Sequence, residues 1–190
     1  MLQKSKFITL LATLLMMIGL TGAPSAFAVD GMALELGSGS GSIGPGTSAE
    51  SARLALFWDW GKRWFTEGNW WLGGHWEGTV GYMRNRARDD SLTNAGFTGV
   101  LRLWPYRPWW THARQFLEGG TGVNFFSETH LGDKRIATSL QFGSFVGFGV
   151  RFGRSERYEI GYRQIHFSNA GLKKPNPGMD FDELRFAYRF

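Results

Sequence analysis

A period-two alternation recurs from about residue 30 to the last residue, and it constrains the fold more than any other feature. Leu54, Leu56, Trp58 and Trp60 are apolar at every second position. Leu72, Trp76, Val80 and Tyr82 repeat the pattern with His75, Glu77 and Thr79 between them. Phe142, Val146, Phe148, Val150 and Phe152 do so again, with Gln141, Gly143, Gly147, Gly149 and Arg151 on the opposite parity. Phe190 closes the chain, preceded at twos by Tyr188, Phe186 and Leu184. This is the side-chain period of a β-strand. One face suits hydrocarbon, while the other is small or polar.

Eight such segments are predicted, near 30–40, 51–61, 70–83, 93–104, 114–126, 138–152, 156–168 and 179–190. The first 28 residues stand apart from them. Lys4 and Lys6 precede an apolar run from Phe7 to Leu20, and Ala26-Phe27-Ala28 is a small-x-small cleavage site. Residues 1–28 are therefore expected to be a cleaved signal peptide, leaving one domain over 29–190. There are no cysteines, so neither disulfides nor thiolate metal sites hold the fold. Sixteen Phe, nine Trp and 27 Gly in an exported chain suit an outer-membrane barrel. The fold class follows: all-β, an eight-stranded antiparallel transmembrane β-barrel of the outer membrane.

A soluble lipocalin-like barrel is the competing architecture, with its apolar residues pointing inward. It would leave Glu77, Glu118, Arg151, Glu159, Arg163, Glu183, Arg185 and Arg189 together on the solvent face. In a narrow membrane barrel the same charges pair across the interior. An even strand count puts both termini on the periplasmic side. Outer loops are then expected near 41–50, 84–92, 127–137 and 169–178, and periplasmic turns near 62–69, 105–113 and 153–155. Aromatic girdles are expected from Trp64, Phe65, Trp70 and Trp71, and from Trp104, Tyr106, Trp109 and Trp110. The net charge of +5 includes the signal lysines and forms no dense basic run, which argues against nucleic acid and for lipid headgroups as partners.

Parity also exposes a candidate site. Tyr158, Ile160 and Tyr162 are the outward set of the seventh segment, so His166 and Ser168 continue it onto the lipid-facing side. Counting back from Phe190 by twos reaches Asp182 and Asp180 on the same face. Polar groups facing hydrocarbon cost several kcal/mol unless partnered or interfacial. Residues i and i+2 share a strand face about 7 Å apart. His166 can thus reach the Ser168 hydroxyl, and a carboxylate on the next strand can orient its ring. Asn169, Gly171 and Asn176 are candidates for an oxyanion hole, although Asn and Gly also serve ordinary turns. Chance matters here: a His-x-Ser pair is common, and interface His and Asp often only meet water.

The stretch HFSNAGLKKPNPG, residues 166–178, resembles the lipid A 3-O-deacylase (PagL) family of outer-membrane hydrolases. Looser likeness extends over the mature chain, through Trp58-Asp59-Trp60 and the run FLEGGTGV at 116–123. The resemblance implies hydrolysis of the acyl chain ester-linked at position 3 of lipid A, with His166, Ser168 and Asp180 as the triad. Where the familiar members carry glutamate, this chain has Asp180; Asp182 and Glu183 are the alternative acids, the second with the wrong parity. No cofactor or metal is implied. Lipopolysaccharide is the expected substrate at the outer leaflet, and a homodimer is left open. Two rival functions also stay open: a non-catalytic structural or adhesive barrel, and an outer-membrane acyltransferase.

Overall fold

A computed structural model describes residues 28–39, 49–110 and 112–190; the expected signal peptide, apart from Ala28, and most of the expected first outer loop lie outside them. The strands are β1 Gly31–Gly39, β2 Ala49–Asp59, β3 Trp70–Asn85, β4 Asp90–Pro105, β5 Ala113–Phe126, β6 His130–Leu131, β7 Lys134–Arg135, β8 Leu140–Phe152, β9 Tyr158–Ser168 and β10 Met179–Arg189. Eight of them close into an antiparallel barrel in the order β1-β10-β9-β8-β5-β4-β3-β2. The first and last strands seal it, from Gly31 opposite Arg189 to Gly39 opposite Phe181. Closure leaves no unpaired edge, which a hydrocarbon environment requires.

All eight expected segments are barrel strands, with shifted ends. β3 and β4 run on to Asn85 and Asp90, so their loop shrinks to a short turn. β2 stops at Asp59, just before Gly61 turns the chain with φ +64. β6 and β7 form a small hairpin inside the expected loop 127–137. Two-residue strands lie below what alternation can reveal.

Side chains divide by parity as expected. Leu34, Leu36, Phe97, Leu117, Val146, Phe148, Ile160 and Leu184 are exposed on the outer surface. Glu35, Arg53, Glu77, Arg102, Glu118, Arg163 and Arg185 are buried in the lumen. Arg163 sits at the centre of this set. Its Nε donates to Glu118 at 2.7 Å, and its Nη1 donates to Glu35 at 2.7 Å and Glu77 at 2.8 Å. Arg102 donates to Glu118 and Glu159, both at 2.8 Å. Buried charges must find such partners, because each is expensive to desolvate alone.

The lumen is not polar throughout. Towards the outer loops it is filled by Met83, Leu92, Phe126, Phe145, Phe167 and Phe181, with Leu131 and Ile136 packed among them. At the opposite end Trp71 and Trp104 stack at 5.5 Å and Phe116 lies 4.9 Å from Trp104. These two tryptophans therefore face inward and do not belong to the lipid girdle. Phe65, Tyr106, Trp109 and Trp110 remain exposed at that end. Parity explains the difference: Trp71 shares the face of His75 and Glu77, opposite Leu72.

Candidate active site

The site forms where β9 ends and β10 begins. His166 and Asp180 are directly opposed in the β9–β10 ladder, and the flanking pair is Phe167 opposite Met179. Phe167 is fully buried in the lumen, which fixes its neighbours His166 and Ser168 on the outward face. His166 Nδ1 lies 2.7 Å from Asp180 Oδ1. The His166 side chain is 40% exposed, whereas that of Asp180 is only 5% exposed. An ionised carboxylate only accepts hydrogen bonds, so Nδ1 carries the proton. Nε2 is then left as a free acceptor.

Ser168 is the last residue of β9 and pairs with Phe142 on β8. Its hydroxyl has no side-chain hydrogen bond among the described residues, and the His166–Ser168 bond is not formed here. Catalytic hydrogen bonds are often long in unliganded sites and tighten around substrate.

Gly178 brings the returning chain against the histidine. A Cβ at this position would lie 2.5 Å from His166 Cε1, and its φ of +71 also favours glycine. The imidazole is thus walled by backbone on one side and anchored by Asp180. No sequence pattern announced this role, since Gly178 reads as ordinary loop.

Of the three oxyanion candidates, two are committed to the loop. Asn169 is buried; its Nδ2 donates to Lys173 O at 2.7 Å and its Oδ1 accepts from Gly171 N at 3.0 Å. That bond also uses the Gly171 amide. Asn176 Oδ1 accepts from Asn169 N at 3.0 Å, which leaves the Asn176 amide nitrogen as the donor without a bond among the described residues.

The alternative acids lie elsewhere. Glu183 points into the lumen, where Ser51 Oγ donates to it at 3.1 Å and Arg53 lies 3.3 Å away. Asp182 is on the outward face, but its Oδ1 is taken by Tyr162 OH at 2.5 Å. The site continues into an outward polar row that sequence alone does not reveal: Thr121, Ser144, His166 and Asp180 are successive cross-strand partners. Thr121 Oγ1 and Ser144 Oγ are 2.9 Å apart. Parity with Phe142 and Val146 was the signal available for Ser144.

The family model described as lipid A 3-O-deacylase (PagL) matches residues 50–189. The chain belongs to this family. It is 34% identical over 135 residues to the lipid A deacylase PagL of Pseudomonas aeruginosa, covering 71% of this chain and 75% of that one. It is 46% identical over 101 residues to the lipid A deacylase PagL of Bordetella bronchiseptica, which is 53% of this chain and 56% of that relative's length. A crystal structure of the outer membrane enzyme PagL superposes with a TM-score of 0.72 at 29% identity, covering 84% of this chain and 99% of the other. This deacylase-family member is thus an outer-membrane β-barrel.

Proposed function

We propose that this chain is a serine esterase that removes the acyl chain ester-linked at position 3 of lipid A, working from the outer leaflet. The observation that carries the reading is the 2.7 Å His166–Asp180 pair on the lipid-facing surface, one pleat from Ser168. A histidine oriented by a buried carboxylate, beside an uncommitted serine, is the constellation that ester cleavage uses.

In this mechanism Ser168 Oγ attacks the ester carbonyl carbon while its proton passes to His166 Nε2. Asp180 stabilises the resulting imidazolium. The negative charge on the carbonyl oxygen is met by a hydrogen-bond donor, for which the Asn176 amide nitrogen is the candidate that the loop leaves uncommitted among the described residues. Collapse of the intermediate breaks the bond to the sugar oxygen, which takes the proton from His166. Water, activated by the same histidine, then releases the fatty acid and restores Ser168. β9 runs towards the outer loops, so the site meets the boundary between headgroup and hydrocarbon, where lipid A esters lie.

Mass spectrometry of lipid A from cells with and without the protein tests this. Loss of one ester-linked acyl chain is expected. Transfer of that chain to another lipid would favour an acyltransferase, and an unchanged lipid A would favour a structural barrel.

Asp180→Ala is expected to lower the deacylation rate strongly, on the order of 10⁴-fold, but less than loss of the nucleophile. Asp180→Glu should keep substantial activity, because a longer carboxylate can still reach Nδ1 on the half-exposed ring. Steady-state rates in detergent decide this. Inactivation by Asp182→Ala with Asp180→Ala unaffected would move the acid by one pleat.

A further inference from the structure

The end of the lumen opposite the active site holds a cavity of about 190 Å³. Lys62, Arg63, Arg102 and Arg151 line it, and Asp59 is the acid among its described lining residues. Asp59 is already paired with Arg189. Gly73 makes room in the wall. It stands directly opposite Arg102 across β3 and β4, and a Cβ there would lie 2.8 Å from the Trp71 ring. The Arg63 guanidinium sits 4.4 Å from the Trp71 ring centroid, and that of Arg151 sits 4.5 Å from the Trp104 ring. Stacking on an indole holds a guanidinium in place while leaving its N–H groups free for acceptors in its plane.

Charges at this mouth do not balance. Glu159 is shared by Arg102, Arg151 and Arg189 at 2.8, 2.7 and 3.5 Å. Arg102 also reaches Glu118, which Arg163 holds as well. Among the described residues Lys62 and Arg63 meet indole rings and no carboxylate. Arg102 is only 2% exposed, yet its Nη2 has no hydrogen-bond partner among the described residues. A buried donor without an acceptor is costly. The missing partner must therefore bring negative charge and several acceptor oxygens. A phosphate group does both, and its tetrahedral oxygens can meet the turn and the barrel wall at once. The two coplanar oxygens of a carboxylate serve that arrangement less well.

We propose that the periplasmic mouth of the barrel is a binding site for a phosphate group, held by Lys62 and Arg63 from the β2–β3 turn and by Arg102 and Arg151 from the wall. The group belongs either to free phosphate or to a phospholipid headgroup of the inner leaflet. The site stands apart from Ser168 and takes no part in ester cleavage.

The test uses the full chain refolded in dodecyl maltoside, which carries no phosphate. Inorganic phosphate is titrated by calorimetry at constant ionic strength, so that general screening does not change. Saturable binding of one phosphate per barrel is expected. The double variant Lys62→Gln plus Arg63→Gln should weaken it by about tenfold or more, the scale of losing hydrogen bonds to a charged group. Both residues are exposed on the turn, so the barrel should fold as before. Arg84→Gln, at the other end of the barrel, should bind as wild type does. Phosphatidylglycerol added to the micelles separates the two sources. Displacement of phosphate by the lipid, lost in the double variant, assigns the site to a headgroup; undisturbed phosphate binding assigns it to the free ion. No saturable binding of either probe, equal binding by the double variant, or acetate binding as tightly as phosphate overturns the inference.

Discussion

Ser168→Ala is expected to abolish lipid A deacylation while the barrel folds as before. Ser168 lies at the end of β9, half-buried, with no side-chain hydrogen bond among the described residues, so its hydroxyl supports no other part of the structure. Its removal takes away the atom that bonds to the acyl group. Losses for a serine nucleophile are on the order of 10⁶-fold, and neither the histidine nor the acid can compensate. His166→Asn should be comparably inactive, because the uncharged amide cannot accept the proton. The check is lipid A turnover alongside the heat-dependent gel shift of the folded barrel. Wild-type rates in a folded Ser168→Ala protein would rule out a serine mechanism.

Arg163→Ala should have the largest effect on stability. This guanidinium is fully buried and ties Glu118, Glu35 and Glu77 together across the lumen. Removing it leaves three buried carboxylates each short of one cation, although Arg53, Arg102 and Arg185 still reach them. Breaking a buried ion pair from one side costs about 3–5 kcal/mol, and here three acids lose one partner together. Urea titration of the refolded barrel, followed by gel shift or tryptophan emission, should show a midpoint far below wild type. Arg84→Ala removes an exposed pair with Asp89 and serves as the control, with little change expected. Equal behaviour of the two variants would contradict the placement of stability in the lumen network.

The strand pattern carried most of this architecture because the two faces of a membrane barrel wall meet different media. Lipid demands apolar residues and a narrow lumen tolerates charges, so Ile160 and Arg163 declare their sides without any structure. The same logic puts His166, Ser168 and Asp180 on one surface, where His166 pairs with Asp180. It failed where both media are apolar. Phe145, Phe167 and Phe181 fill the outer end of the lumen, and a phenylalanine looks alike facing lipid or facing core. Residue type alone puts Trp71 and Trp104 in the girdle, although the parity of Trp71 places it inside. The oxyanion candidates were unreadable for another reason. Whether an asparagine amide is free depends on loop hydrogen bonds such as Asn169 to Lys173, which no spacing in sequence encodes.

The most direct test of the lipid-facing serine site is covalent capture. A long-chain fluorophosphonate dissolved in detergent micelles should form one phosphorus–oxygen bond with the nucleophile and release fluoride. The expected result, by intact-protein and peptide mass spectrometry, is a single adduct on Ser168. It should be absent from Ser168→Ala and slow to form in His166→Asn. An adduct on another residue, or none on an active protein, would contradict Ser168 as the nucleophile at the membrane surface.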